Sequence, residues 1–486
     1  MNAILNHKEH LYLFLVFSTL VLSSIFTSIY CEVFYVVLIP FAFLFAGLLV
    51  KDLSKVYLLM FAVLPFTVEY NLPNGLGIDI PTELLMILFT GIGIVSFIMK
   101  AKDISSRYIL NPISLLLILH VVWIFFTALF SVDLIRSIKF ILAKLWFIIP
   151  FYCLPFWFLK EKEQLLKLCK ILLISITIAC VYVWINHAGS GFSFQEINRA
   201  AHPVFRNHVN YAGMILVIMP FYWVYIKSKR VNEIFTFLLY ALGIFLIVSI
   251  FLSYTRAAMI SLVVGIASSA VIHFKLMKPV LFIGIVVTTI FVWHLITENE
   301  FISYAPEYEK TITHERFDNL IEATAKGEDI STMERAYRWV AGGYMVQDRP
   351  ITGFGPGTFY IAYEPYALSM FKTYVSHNPD QSTIHNYFFL ILVEQGIFGF
   401  LILVCLCIYA LVRGEALVHY YTGFKRRMIL AATTLFIMIL LLNLINDMVE
   451  SLKVGSFFFL ALFIIAKYDI EMSQEEKQKR TVDYNK

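Results

Sequence analysis

The stretch FTFLLYALGIFLIVSIFL, residues 235–252, decides the fold class because it contains no charged side chain. A helix needs about 20 apolar residues to cross the roughly 30 Å hydrocarbon core of a bilayer. Comparable runs recur along the 486-residue chain, which is 59% hydrophobic and only 15% charged, with a mean hydropathy of +0.77. This composition excludes a soluble globule and predicts an all-α polytopic membrane protein.

The apolar runs number about 14, so we expect about 12–14 transmembrane helices. The runs are 11–30, 33–50, 55–68, 83–99, 109–130, 140–159, 171–187, 208–226, 235–252, 256–274, 279–296, 385–411, 427–446 and 452–468. A short charged segment follows Tyr468, and its composition predicts disorder.

The Lys and Arg residues between the runs indicate how the chain is oriented. They collect in every second connection, together with both termini, and the positive-inside rule makes that side cytoplasmic. The opposite, outer side receives short connections and one long segment, which we expect to form a large loop domain. The expected parts are N-terminal transmembrane helices 1–204, central transmembrane helices 205–296, the outer loop 297–384, C-terminal transmembrane helices 385–468 and a cytoplasmic tail 469–486.

Two arginines on the outer side are candidates for binding an anion. Arg256 lies at the outer membrane boundary, where an arginine is also typical of an interfacial anchor. Arg335 lies on an expected helix and shares a face with Trp339, while Glu334 and Arg338 are four residues apart and can pair with each other. A guanidinium beside an aromatic ring suits an anion clamp, with a solvated surface arginine as the alternative.

A glycine-rich loop and a histidine follow on the same side. Gly353, Gly355 and Gly357 alternate with other residues, which favours a tight loop with exposed backbone N–H groups. Such a loop can cradle phosphate or turn a corner. His385 stands where the chain re-enters the membrane, and Glu394 lies further along that span; a structural, hydrogen-bonded histidine is the alternative to a catalytic one.

Missing patterns narrow the chemistry. The histidines and cysteines have no metal-ligand spacing and no Asp-x-Asp occurs, so we expect no metal site and no cofactor. Most spans carry no ionisable residue near their middles, which disfavours an ion-coupled transporter.

Four motifs together resemble the O-antigen ligase/O-antigen polymerase family. HNYFFLILVEQGIFGF resembles its C-terminal signature, and ERAYRWV followed by QDRPITGFGPGTF is similar to its arginine helix and glycine loop. SYTRAAM resembles its Ser-x-(Ser/Thr)-Arg segment. FRNHVNYAGM resembles an element that opens a span, although His208-Val209 replaces the more frequent His/Asn-Pro. The motifs cover 205–400 in the order that the family has them.

The resemblance implies a metal-independent glycosyltransferase with a helical membrane fold. Its donor would be a glycan on undecaprenyl diphosphate at the periplasmic face of the bacterial inner membrane, so the outer segment would be a large periplasmic loop domain that contains the active site. A ligase would transfer the glycan to the lipid A core, a polymerase to another lipid-linked unit, and a protein O-oligosaccharyltransferase to a hydroxyl side chain. We favour the ligase because one loop carries the arginine helix, the glycine loop and the histidine; a membrane transporter is the less favoured alternative.

This chemistry assigns roles to the candidate residues. Arginine binds phosphate oxygens bidentately and stays protonated, so Arg256 and Arg335, with Arg206 as a third, are the expected diphosphate ligands. His385 is the expected general base, because a histidine can take the proton of the acceptor hydroxyl. Direct displacement then inverts the anomeric carbon. Asn386 and Trp339 are expected to support the site, as are the three glycines.

Glu394 requires a separate interpretation. On a regular helix it would lie about 13 Å from His385 and face the opposite way, so we expect a structural or substrate-path role. Lys144 or an outer-loop arginine is its expected partner. Gly396 and Gly399 have the spacing of close helix packing.

Overall fold

The structure is a computed structural model that describes residues 7–30, 39–71, 77–99, 106–228, 232–297, 330–367 and 383–484. These residues are almost entirely helical, with one antiparallel hairpin of strands β1 (Val68–Asn71) and β2 (Gly77–Ile80). Of the described helices, eight are long and apolar enough to cross a membrane. The prediction of an all-α polytopic membrane protein is therefore confirmed, whereas the crossings expected beyond these eight stay a prediction.

The chain divides into two compact units, Met1–Met60 and Phe61–Lys486. The first contains the helices His7–Tyr30 and Ile39–Lys51, which pack on each other, and the start of the helix Leu53–Val63. The helices are α1 (His7–Tyr30), α2 (Ile39–Lys51), α3 (Leu53–Val63), α4 (Thr82–Met99), α5 (Ser106–Ile109), α6 (Pro112–Ala128), α7 (Leu134–Ile148), α8 (Pro155–Phe158), α9 (Lys162–Ala188), α10 (Ile197–Ala201), α11 (His208–Ser228), α12 (Glu233–Leu252), α13 (Arg256–His273), α14 (Met277–Thr297), α15 (Ile330–Asp348), α16 (Phe359–Ala362), α17 (Tyr387–Tyr420), α18 (Gly423–Leu442) and α19 (Leu452–Tyr484).

The core of the second unit is formed by α11, α17, α18 and α19: α18 packs on each of the other three, and α19 also packs on α11 and α17. Helix α11 buries an unbroken run of residues, 211–218, and α19 buries residues 457–466 in the same way. These helices are apolar all round because they have protein neighbours on every side, whereas α12 leaves most of its apolar side chains exposed, as a lipid-facing helix does.

One end of this unit collects the segments that sequence analysis placed on the outer side. Tyr387, the first residue of α17, donates its backbone N–H to the carbonyl of Asn443 after α18, at 2.9 Å. The Thr255 hydroxyl before α13 lies 3.2 Å from the carbonyl of His208, the first residue of α11. We call this the His385 end, because His385 lies two residues before the start of α17; the starts of α11 and α13 and the end of α18 lie at the same end. Residues 298–329 and 368–382 of the expected outer loop lie outside the described residues.

The expectation of a disordered tail after Tyr468 is wrong, because α19 continues to Tyr484. Side chains from the ends of the neighbouring helices hold the extension: Arg413 pairs with Asp469 at 2.5 Å, and Lys425 pairs with Glu471 at 2.9 Å. The acidic residues at 469–475 therefore form ion pairs between helices, which composition alone does not distinguish from a solvated tail.

Candidate functional site

His385 lies in a short strap, residues 383–386, between the end of the outer segment and α17. The backbone of His385 is left-handed, with φ of 56°, a conformation that residues with a side chain seldom adopt. Asn386 caps α17, because its side-chain oxygen accepts the N–H of Phe389 at 3.0 Å. The helix therefore begins after the histidine, with Asn386 as its cap, and the supporting role expected of Asn386 in the site stays a prediction.

Helix α15 holds this strap through two consecutive side chains. The Arg338 guanidinium donates to the carbonyl of Thr383 at 2.8 Å, and the indole N–H of Trp339 donates to the carbonyl of Ile384 at 3.0 Å. Arg338 is only 3% exposed. The sequence offered Glu334 as its partner, but the Glu334 side chain lies outside the described residues, so that pairing stays a prediction.

The charges on α15 act on the histidine. Burial lowers the pKa of His385, and together with the positive charges of Arg335 and Arg338 it brings that pKa to about 3. Arg335 is half-buried, and its positive charge is close enough to His385 to lower the pKa of the imidazole. The structure thus brings the expected leaving-group ligand and the expected base together.

Arg206 and Arg256 lie on adjoining segments of the same end. Arg256 begins α13, and the preceding threonine contacts the carbonyl of His208, two residues after Arg206. Arg206 is largely exposed and lies 3.9 Å from Glu69 on β1. Its charge also acts on Asp447, whose pKa is raised by burial and whose carboxylate accepts the Thr383 hydroxyl at 2.7 Å. Arg206 therefore acts electrostatically on the carboxylate that bonds the strap.

The glycine loop, residues 353–357, uses its backbone N–H groups within the protein. Phe354 and Gly355 donate to the carbonyls of Val393 and Glu394, at 3.1 and 2.9 Å. The Glu394 carboxylate, 2% exposed, accepts the N–H of Gly357 at 2.8 Å and that of Phe359 at 2.9 Å. Of the two roles open to this loop, the structure favours turning a corner against α17, since these N–H groups are already bonded.

The expected partner of Glu394 is corrected by the same contacts. Its carboxylate bonds backbone N–H groups, whereas Lys144 lies 2.6 Å from Glu450 and 3.4 Å from the hydroxyl of Tyr387. Sequence analysis missed Glu450 and Asp447; the signal available was a pair of carboxylates, three residues apart, directly after an apolar run.

Gly396 breaks α17 and lets the backbone of the segment at 350–351 approach, in place of the close packing of helix on helix that the spacing predicted. Its φ of 67° interrupts the helix, and a side chain there would collide with the carbonyl of Ile351. Pro350 accepts the N–H of Ile397 at 2.9 Å, and the indole of Trp123 donates to the carbonyl of Gln395 at 2.8 Å, so the groups freed by the break are bonded. The regular helix assumed from the sequence is therefore wrong at this point, because tertiary partners replace the helical hydrogen bonds.

Gly399 does fit close packing. A side chain at this position would meet Trp123 of α6 at 3.1 Å and the side chain of Gln395. In the part of the chain that the structure describes, no group of three or more His, Cys, Asp or Glu side chains could hold a metal ion.

The molecule is thus a multi-pass membrane protein with a histidine, arginines and buried carboxylates gathered at one end of its helices. Residues 241–404, about a third of the chain, match the family model of the O-antigen ligase. The resemblance inferred from the motifs is confirmed over this region, which contains Arg256, Arg335, His385 and Glu394. The match supports a function of the O-antigen ligase/polymerase type. No curated protein matches the chain.

Proposed function

We propose that this protein transfers a glycan from undecaprenyl diphosphate to an acceptor hydroxyl at the His385 end of its helices. The observation that carries the proposal is that the arginine helix holds the strap of His385 through Arg338 and Trp339, one turn after Arg335 on the same helix face. The charge of Arg335 acts on His385 across this contact. A group that binds the leaving diphosphate and a group that takes the acceptor proton are then within reach of one reacting carbon.

The transfer needs no metal in this proposal. The acceptor oxygen forms a bond to the anomeric carbon while the bond from that carbon to the diphosphate oxygen breaks, and the electron pair leaves with the diphosphate. Arg335 and Arg256, with Arg206 at the rim, offset the charge that grows on the diphosphate. The proton of the acceptor hydroxyl passes to the His385 imidazole, and attack from the face opposite the leaving group inverts the anomeric carbon.

The low pKa of His385 keeps the imidazole neutral, and therefore able to accept a proton, before the donor binds. In the empty site, burial and the two cations keep the ring neutral, and only a neutral ring can accept a proton. A bound diphosphate adds negative charge beside the same arginines, which raises the histidine pKa and makes the ring a stronger base. Donor binding thereby prepares the site for the acceptor.

We propose the lipid A core as the acceptor and the periplasmic face of the bacterial inner membrane as the location, with both termini in the cytoplasm. A gene knockout tests the acceptor through the envelope glycans. Loss of all glycan linked to the lipid A core supports the ligase, whereas a band with a single repeat unit indicates a polymerase. Unchanged surface glycan with altered glycoprotein mobility indicates transfer to protein.

His385→Ala tests the base directly. We expect transfer from a purified lipid-linked donor to fall by about 10²–10⁴-fold with normal expression, which is the usual contribution of a general base. His202→Ala is the matched control, because His202 is an exposed histidine at the same end. Transfer by His385→Ala close to the wild-type rate would remove the base from the proposal.

A further inference from the structure

We propose that Trp339 and Thr383 are positioning residues that set the separation between the base and the leaving-group ligand. This inference rests on the proposed function of His385 and Arg335. It assigns a role to two side chains whose hydrogen bonds hold the strap and which take no part in proton transfer.

The strap has a backbone that needs external support. His385 has a left-handed φ of 56°, and such a conformation in a residue with a side chain persists only where the surroundings hold it. Left-handed backbone of this kind is found at functional sites, where it directs a side chain that a relaxed backbone would direct elsewhere. The support comes from two separate segments of the chain.

The first support is the arginine helix. Arg335, Arg338 and Trp339 are spaced three and four residues apart on α15, so they share one face. Arg338 and Trp339 bond the consecutive carbonyls of Thr383 and Ile384, immediately before the histidine. The helix that carries the diphosphate ligand is therefore also hydrogen-bonded to the segment that carries the base.

The second support is the loop after α18. The Thr383 hydroxyl has one proton and lies 2.7 Å from the Asp447 carboxylate, which can only accept when ionised. The hydroxyl therefore donates to Asp447, and its lone pairs remain for the backbone N–H of His385, which lies 3.5 Å away. Asp447 is itself in a loop that is bonded to the start of α17 through Asn443.

If one of these contacts is removed, we expect kcat to fall while KM for the donor stays nearly unchanged. Misplacing a reacting group by about 1 Å costs on the order of 10²-fold in rate. The diphosphate ligands remain in place, so binding of the donor should change little. A variant that removes one of the hydrogen bonds to the strap should thus have a lower kcat and a nearly unchanged KM for the donor.

The experiment measures both constants for Trp339→Phe, which keeps an aromatic ring but removes the N–H donor, and for Thr383→Val, which removes only the hydroxyl. We expect kcat to fall about 10–100-fold in each, with KM for the donor changed less than about threefold. Thr383→Ser retains a hydroxyl and should restore kcat to within about threefold of the wild type. Trp184→Phe is the matched control, because its indole N–H donates to Ser249 at 2.9 Å between α9 and α12.

Three results would overturn the inference: a loss of kcat in Trp184→Phe as large as in Trp339→Phe, failure of Thr383→Ser to restore what Thr383→Val loses, or a normal kcat in Thr383→Val. Because Trp339→Phe can fail to fold, the pair of substitutions at Thr383 decides the question without it. His385→Ala is measured beside them. If it retains activity, His385 is not the base and the premise of the positioning role fails, whereas an inactive His385→Ala with a normal Thr383→Val removes only the positioning role.

Discussion

Replacing Glu394 with alanine should destabilise the protein before it affects any chemistry. The carboxylate accepts the N–H groups of Gly357 and Phe359, and it lies almost wholly within the protein. Removing it leaves two buried N–H groups without their acceptor, at about 1–3 kcal/mol each. We expect the free energy of unfolding to fall by about 2–6 kcal/mol, the sum of the two losses.

The substitution Glu394→Gln refines the same test. Its amide oxygen can accept one N–H, but its NH₂ group then faces the other N–H, so one bond is lost and the cost falls to about 1–3 kcal/mol. Glu415→Gln is the control. The Glu415 carboxylate accepts a single backbone N–H, that of Met277 at 2.9 Å, and a glutamine oxygen can replace it, so we expect a loss under about 1 kcal/mol.

The assay is unfolding of the detergent-purified protein by increasing SDS, followed by intrinsic tryptophan fluorescence, with transfer measured on the fraction that stays folded. An order of decreasing stability from wild type through Glu394→Gln to Glu394→Ala, with transfer per folded molecule largely kept, supports a structural carboxylate. If Glu394→Ala unfolds like the wild type and loses transfer, the reasoning is refuted and Glu394 belongs to the chemistry.

Three further outcomes follow from the structure. Gly396→Ala should cost more than about 2 kcal/mol in the same SDS titration, because φ is positive there and a side chain meets the Ile351 carbonyl; a neutral result would show that the kink is dispensable. Lys144→Met leaves Glu450 without its cation and should cost about 2–4 kcal/mol, and adding Glu450→Gln should recover part of that loss in a double-mutant cycle. Because burial and neighbouring arginines lower the pKa of His385 to about 3, kcat/KM should stay level between about pH 5 and 8, and a fall with an apparent pKa near that of free histidine would contradict this environment.

The protonation of His385 should also make the free energy of unfolding fall at low pH. Its pKa is lower in the folded protein than in the unfolded chain, so between the two values the unfolded state binds more protons. Its contribution to stability should therefore be constant above about pH 7 and should decline as the pH falls toward 3. His385→Ala should remove this part of the decline, as measured by the SDS midpoint at each pH.

Some features of the site were predictable because they depend on local chemistry. An arginine four residues before a tryptophan on one helix face, and a histidine at the mouth of a span, needed only residue types and helical spacing. The hydrogen-bond partners of Glu394 could not be predicted in this way. Helical spacing placed it away from His385, but its partners are the N–H groups of Gly357 and Phe359, more than thirty positions earlier in the chain.

What the sequence determined by itself is the class of molecule, because long apolar runs such as 235–252 have no stable state in water and satisfy their backbone hydrogen bonds within the helix. What only the tertiary structure decided is how the site is held. The left-handed His385, the break at Gly396 and the bond between Thr383 and Asp447 all depend on donors and acceptors from distant segments. Hydrogen bonds between distant segments leave no periodicity in the sequence, so these contacts become visible only when the helices are packed.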